Sequence, residues 1–331
     1  MSEKVSVIIP CYNGEKYISR SIQSVYEQDY DNIELVVVDD GSTDDSKHII
    51  ISWQDSFSQK GYELKYIYQN NKGLGGAINT GLKHITGEYL SILDADDEYL
   101  PHCISSRVEY LERNMDIAIV RTNGYIVQAG TKRLFMSDKE KTIDNVFLAM
   151  LRWETSNWAG SYMLRTKDLF EFYPDKNIYE SRDGQNLQLM LPLLYNKKCG
   201  YIDSPHMNYN IQDASLSQER DSEKKERKLI RCAEGYTDIR IVMIKLIVKD
   251  RDEQHYYEVV SQDAKWRYFM NIALIYKDKS LMKEAKSALE KNDDYLIDDK
   301  IKYYTLFFPV FSYFLRIKRK TIKMLTGKND G

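Results

Sequence analysis

Ile33-Glu34-Leu35-Val36-Val37-Val38-Asp39-Asp40-Gly41-Ser42-Thr43-Asp44 is the stretch on which the reading of this 331-residue chain turns. A nearly unbroken apolar run of strand length predicts a β-strand covered on both faces, as in a parallel sheet. It stops abruptly at two carboxylates, followed by Gly41, which permits a tight turn, and by Ser42 or Thr43, either of which suits a helix cap. Outward from it the same grammar repeats. Upstream, Val5-Ser6-Val7-Ile8-Ile9 reads as a first strand, and Ile18, Ile22 and Val25 mark one face of the helix that follows. Downstream, residues 64–68 read as a third strand. Gly73-Leu74-Gly75-Gly76 then opens a helix containing Ala77, Ile78 and Leu82, and residues 89–93 form a fourth strand. Strand and helix alternate as in βαβ units, so the expected fold is α/β with a mostly parallel sheet flanked by helices.

Beyond Pro101 the alternation fades into a mixture of short strands, helices and turns that lasts to about Ser217. From Glu219 the sequence is charged and helix-favouring as far as Leu289 at least. The expected organisation is a domain over 1–217, divided near 101 into two halves, 1–101 and 102–217, then a helical C-terminal region over 218–331. With 43% hydrophobic and 29% charged residues, only 6 Pro and 16 Gly, the chain is neither disordered nor fibrous. The 47 Lys+Arg against 50 Asp+Glu leave a formal charge of -3, which offers no general attraction for a polyanion, so nucleic acid is not expected as a partner. Cys11, Cys103, Cys199 and Cys232 form no CxxC pair and read as reduced thiols. The apolar start is broken at Pro10, too early for a secretory signal, and no window approaches the roughly 18 to 20 apolar residues of a membrane span. A cytoplasmic location is therefore expected.

Two acidic clusters directly follow expected strands: Asp39-Asp40 after the second and Asp94-Ala95-Asp96-Asp97 after the fourth. In an open parallel sheet the ligand crevice lies beyond the carboxyl ends of the strands, so both clusters should face one cleft. Three carboxylates within four residues repel one another unless a cation neutralises them, and hard divalent ions prefer such oxygens.

Residues 5–15, 34–44 and 93–97, in that order and spacing, resemble the family 2 inverting glycosyltransferases of the GT-A fold. The resemblance is strong over roughly residues 4 to 101 and weak to about 217. It implies that 1–101 is the nucleotide-binding half and 102–217 the acceptor half. Pro10, Tyr12 and Glu15 would line the base and ribose of a nucleotide-sugar donor, with Asp39 accepting the uracil N3 proton and Asp94 also on the nucleotide. Asp94 and Asp96 match the family's metal motif, Asp96 foremost as a ligand of Mn²⁺ or Mg²⁺, while Asp97 is open between ligand, ribose contact and helix cap. Ile78 stands where many members have an arginine. An inverting enzyme needs a general base for the acceptor hydroxyl, and the family's place for it falls on Tyr179-Glu180-Ser181-Arg182-Asp183-Gly184; Asp183 is the first choice and Glu180 the alternative. Trp158, Gly160 and Ser161, with Trp153 and Tyr162 nearby, are acceptor-side candidates, core packing being the other reading of each Trp. His206, Tyr209, Asn210, Gln212, Asp213 and Ser215 form a polar aromatic segment of the kind that folds over donor phosphates in related enzymes.

At the C-terminus, aromatic and apolar residues abut Arg316, Lys318, Arg319, Lys320 and Lys323, so residues 303–323 suit either peripheral contact with an anionic membrane or a helix packed on its own domain. The sum is an expected metal-dependent inverting glycosyltransferase that moves a sugar from a UDP-type donor to a saccharide or lipid-linked acceptor, at the inner face of the plasma membrane, in capsule or lipopolysaccharide synthesis. The alternatives are a nucleotidylyltransferase-like enzyme, which the acidic Cys11-Tyr12-Asn13-Gly14-Glu15 loop disfavours, and a non-catalytic nucleotide-sugar-binding protein of the same fold.

Overall fold

The computed structural model describes residues 2–156, 158–181, 183–211 and 222–308. The chain forms two compact units, one of Met1–Met150 and Glu154–Asp213, the other of Leu151–Trp153 and Ala214–Gly331. The boundary expected near Ser217, the residues Gln212, Asp213 and Ser215, and tail residues 309–323 lie outside the described residues.

The first unit is built on a nine-stranded sheet: β1 (Val5–Cys11), β2 (Ile33–Asp39), β3 (Glu63–Tyr68), β4 (Tyr89–Ile92), β5 (Glu98–Tyr99), β6 (Ile119–Gln128), β7 (Thr131–Leu134), β8 (Tyr162–Arg165) and β9 (Gly200–Asn210). The order is β3-β2-β1-β4-β8-β6-β9-β5, with β7 paired to β6. β3, β2, β1 and β4 run parallel, and the two central strands of this block, β1 and β2, are buried along their whole length, which is why their sequences read as continuous apolar runs. The remainder is mixed. β8 returns antiparallel beside β4 and β6, β6 pairs in parallel with β9, and β5 and β7 form short antiparallel edges. The mostly parallel expectation thus describes the first half, where βαβ crossovers set strand direction. The second half is reached by connections that return strands in either sense.

Register places the chemistry. Cys11 lies opposite Asp39 and Ile8 opposite Ile92, so the turns after β1, β2 and β4 emerge on the same side of the sheet. Helix Ile18–Tyr26 buries Ile18, Ile22 and Val25 against the sheet, and helix Gly73–His84 buries Ala77, Ile78 and Leu82. Ile78, at the position of the family's arginine, is therefore a core residue here. Glu34, the charged residue within the β2 run, is buried at the opposite end of the strand. It accepts hydrogen bonds from Lys65 Nζ at 2.8 Å and from the Gly87 amide at 3.0 Å.

The second unit consists of helices Ser222–Ile247, Arg251–Tyr276, Lys279–Lys291 and Ile297–Phe307. Asp250 and Asp278 cap two of them, each carboxylate accepting two backbone amides of the first turn. Their apolar faces meet around Met270, Ala273, Met282, Ala285 and Leu289. Trp153 belongs to this core, packed against Tyr268 and under the Arg240 guanidinium at 4.5 Å, so packing rather than sugar contact is its role. Among the described residues, no helix is long and apolar enough to cross a membrane.

Candidate active site

The turns after β1 and β2 are laced together. Asn13, in the left-handed region at φ 51°, accepts from the Thr43 amide at 2.9 Å, and its own amide donates to Ser42 Oγ at 2.9 Å. The Gly14 amide donates to Ser46 Oγ at 2.8 Å. Glu15 completes the lacing: its amide donates to Asp44 at 3.0 Å and its carboxylate accepts from the Asp45 amide at 3.1 Å. This places Glu15 in the loop-to-loop seam, not on the cleft.

The cleft itself has a volume of about 220 Å³. Pro10, Cys11 and Tyr12 form one wall and Asn71, Gly73, Leu74 and Ala77 the other, with Asp40 between them. Tyr12 is 56% exposed and Leu74 39% exposed, so an aromatic and an aliphatic face flank the mouth. A neighbouring recess lined by Asn71, Lys72, Gly73 and Leu74 extends it.

The two aspartates of the first cluster are turned to different tasks. Asp39 ends β2, and its carboxylate lies along the sheet, accepting from the Tyr66 hydroxyl at 2.7 Å and the Ser42 amide at 2.8 Å. Burial, with Asp39 beside it, pushes the Tyr66 phenol upward. Asp40, one residue further, accepts from Gln69 Nε2 at 2.6 Å, from the Lys72 amide at 2.8 Å and from the Gly73 amide at 2.8 Å. It holds the first amides of helix Gly73–His84, where a carboxylate is favoured by unpaired N–H groups and the helix dipole. The structure thus sets Asp40, not Asp39, on the cleft. The sequence signal that separates them is strand alternation: adjacent side chains point opposite ways, and only the exact end of β2 decides which faces the ligand side.

The second cluster has a well-held backbone and poorly satisfied side chains. The Asp97 amide donates to the Asp94 carbonyl at 3.0 Å, the Ser21 hydroxyl lies 2.8 Å from the Ala95 carbonyl and 2.6 Å from that of Asp97, and Arg20 and Asn210 donate to the Asp96 carbonyl at 2.9 and 3.0 Å. Asp97 Oδ1 accepts the Asn210 amide at 2.8 Å, but its buried Oδ2 has no partner among the described residues. Burial, and then the charge of Asp96, push the Asp94 carboxyl up to about 7. Burial raises Asp96 as well, and burial with Asp94 and Asp96 raises Asp97 well above the usual carboxylate range. Among the described residues no group of three or more His, Cys, Asp or Glu converges as a complete metal cage. An incomplete set of hard oxygens, one of them buried and unpaired, fits a divalent ion whose remaining ligands come from elsewhere.

Asp183 is half-buried and immediately precedes Gly184, whose φ of 74° starts helix Gln185–Leu194; Glu180 is exposed. Trp158 is half-buried, stacked on Tyr209 with ring centroids 4.5 Å apart and against Phe135 at 4.7 Å. Tyr209 adjoins Asn210, the residue bonded to Asp97, so this aromatic pair stands beside the second cluster. Gly160 and Ser161 are buried: the Gly160 carbonyl accepts from Arg107 at 2.6 Å, and the Ser161 hydroxyl donates to the Trp158 carbonyl at 2.6 Å. Both shape the turn beneath Trp158 without presenting a side chain to a ligand. His206 lies within β9, buried, and burial together with Arg107 pushes its imidazole down to about 4, so it is uncharged at neutral pH. A recess of about 730 Å³ lies at the other end of the sheet around residues 86–89 and 165–168, away from both acidic clusters.

A GT-A architecture with two acidic clusters at the carboxyl ends of β2 and β4, the strands on either side of β1, defines the class. Residues 6–173, just over half of the chain, match the sequence profile of Glycosyl transferase family 2, and the chain belongs to that family. Glycosyltransferase GlyA of Streptococcus pneumoniae is 31% identical over 234 residues, covering 66% of this chain and 32% of that protein. An uncharacterised glycosyltransferase of Nostoc is 43% identical over 117 residues, covering 35% of each chain. The match thus spans about a third of the length of these relatives. In fold, the chain is similar to residues 1–349 of Staphylococcus aureus TarS, solved with UDP-GlcNAc, at a TM-score of 0.58, 17% identity and coverage of 91% of both chains. It is also similar to a mannosyltransferase of Pyrobaculum calidifontis solved with GDP-Man and Mn²⁺, at a TM-score of 0.55 and 18% identity, covering 99% of this chain and 89% of that one.

Proposed function

We propose that this chain is a metal-dependent inverting glycosyltransferase that takes a sugar from a UDP-linked donor. The observation that carries the reading is the division of labour between the two acidic clusters: one held by hydrogen bonds at the edge of a small cleft, the other crowded and with a buried oxygen that has no partner among the described residues. Asp40, with a lone pair left on Oδ2, is suited to accept the imide N–H of uracil, while Tyr12 and Leu74 flank the planar base. Pro10 completes that wall, Asp39 and Glu15 brace the two loops that form it, and Asp94 faces the ribose and diphosphate side. Asp96, with Asp94, would hold Mn²⁺ or Mg²⁺, which when bound supplies charge neutralisation of the departing diphosphate. Asp183 takes the proton of the acceptor hydroxyl, with Glu180 as the alternative, and its place at a helix start suits a residue that acts as a carboxylate.

Trp158, presented on the turn formed by Gly160 and Ser161, would offer the part of its ring not covered by Tyr209 to a sugar ring of a saccharide or lipid-linked acceptor. Residues 303–323 would bring the enzyme to an anionic membrane surface at the cytoplasmic face, where such acceptors for capsule or lipopolysaccharide are built. Tyr303, Leu306 and Phe307 pack against the helical core of the second unit, so the support comes from the 57% exposure of Phe308 and the basic run beyond it. The direct test is UDP release from a panel of UDP-sugars with Mn²⁺, comparing the wild-type chain with Asp183→Asn. Loss of turnover with retained UDP binding supports the assignment, whereas an unchanged rate removes Asp183 from the mechanism.

A further inference from the structure

The segment that ends at Asp183 is gripped by amide side chains, one of which comes from the helix lining the donor cleft. Asn79, on helix Gly73–His84, donates from Nδ2 to the Ile178 carbonyl at 3.0 Å and accepts from the Ile178 amide at 2.8 Å. Gln188, on helix Gln185–Leu194, does the same for the next residue: Oε1 accepts the Tyr179 amide at 2.7 Å and Nε2 donates to the Tyr179 carbonyl at 3.0 Å. Gln185 Nε2 then donates to the Ser181 carbonyl at 2.7 Å, and the Ser181 hydroxyl donates to the Asp183 carbonyl. Asn79, Gln185 and Gln188 are buried. A primary amide presents one acceptor and a donor in the geometry of a peptide group, so two consecutive residues of an irregular strap are paired as they would be between two β-strands.

The contact surface is shaped for this approach. A Cβ at Gly75 would stand 2.9 Å from the Ser181 carbonyl oxygen and 3.3 Å from its amide nitrogen, both backbone atoms with nowhere cheap to go. The helix that makes these contacts is the one whose first amides are fixed by Asp40 and whose Gly73, Leu74 and Ala77 line the cleft. One rigid rod therefore touches the nucleotide side at its first turn and the strap at Gly75 and Asn79.

We infer that Asn79, Gly75 and Gln188 are positioning residues that set the register of the Asp183 strap against the donor cleft, so that filling the cleft steadies the strap. The inference rests on the donor and base assignments above. It does not need the sugar or the acceptor to be known.

The test is hydrogen–deuterium exchange of the full chain, read on peptides covering 69–77 and 177–184, with and without UDP plus Mn²⁺. In the wild-type chain UDP should slow exchange in both peptides, by about tenfold at 178–181. Asn79→Ala and Gly75→Ala should keep the protection at 69–77 and lose it at 178–181, and should lower the rate of UDP release from the best UDP-sugar by about 10²-fold with UDP affinity retained. Asn79→Asp, which keeps the acceptor for the Ile178 amide, should recover part of both. Gly75→Ala removes no hydrogen bond, so its effect separates register from lost pairing. Protection at 69–77 without any at 178–181 in the wild-type chain overturns the coupling while leaving the donor assignment intact. So do full protection and full rate in both alanine variants. No UDP protection at 69–77 overturns the donor assignment and the inference together.

Discussion

The acidic clusters after β2 and β4 look alike in sequence and are physically opposite. In the first, Asp39 and Asp40 accept five hydrogen bonds from Ser42, Tyr66, Gln69, Lys72 and Gly73, and the carboxylates serve as the mortar of the cleft. In the second, the backbone is fixed by Ser21, Arg20 and Asn210 while the carboxyls crowd one another, Asp94 rises to about 7 and Asp97 Oδ2 has no partner among the described residues. The first cluster's carboxylates tie the site together, while the second keeps a buried oxygen with no partner among the described residues. Placing donors around charge is costly to undo, because each buried donor or acceptor left unpaired costs about 1 to 3 kcal/mol, whereas relieving like-charge crowding should be mildly favourable.

That contrast is open to breakage. The largest effect is expected from Asp96→Ala, which should lower sugar transfer by about 10² to 10³-fold, several kcal/mol of barrier, with little change in unfolding free energy; steady-state rates and urea denaturation measured side by side check it. Asp40→Ala should do the reverse in emphasis, destabilising the fold by about 2 to 4 kcal/mol through orphaned amides and weakening UDP binding at least about tenfold. Equal effects of the two substitutions on stability would erase the distinction.

A third buried group sharpens the contrast by sign. His206 is pushed down to about 4 from an ordinary value of 6.5, so the folded state resists a proton that the unfolded chain accepts. Its contribution is present above pH 6.5 and is lost as pH falls toward 4, amounting to about 2 kcal/mol at pH 5. The raised carboxyls of the second cluster work oppositely, since the folded state takes up their protons first and gains relative stability as pH falls. His206→Gln should therefore flatten the loss of stability between pH 7 and pH 5, checked by denaturation at both values. The smallest effect is expected from Asp97→Asn, which removes a crowded charge and keeps the bond from the Asn210 amide. Without metal it should raise stability by about 1 kcal/mol at pH 7, and with UDP and Mn²⁺ that advantage should vanish.

Much of the nucleotide half was legible because its strands are covered on both faces and its turns are punctuated. The expected strand at 33–38 extends only to Asp39, and that at 89–93 ends one residue earlier, at Ile92. What stayed illegible was set by single-residue geometry or by partners distant in sequence. Whether Asp39 or Asp40 faces the cleft depends on where β2 ends. That Glu15 would be spent joining two loops depends on Asp44 and Asp45 in the loop after β2, and that Gly160 and Ser161 would be buried depends on Arg107 and on the bend that carries Trp158 onto Tyr209. The pairing of Asn79 and Gln188 with the strap was not legible, because an amide on a helix does not name its partner, which for Asn79 lies 99 residues away.

The central claim is that the cluster after β4 is completed by a cation together with a nucleoside diphosphate. Calorimetric titration of UDP into the wild-type chain and Asp96→Ala, each with Mn²⁺ and with chelator, tests it most directly. Mn²⁺ is expected to tighten UDP binding at least about tenfold in the wild-type chain and to leave Asp96→Ala unchanged. Equal UDP affinity with and without Mn²⁺ in the wild-type chain would contradict the account.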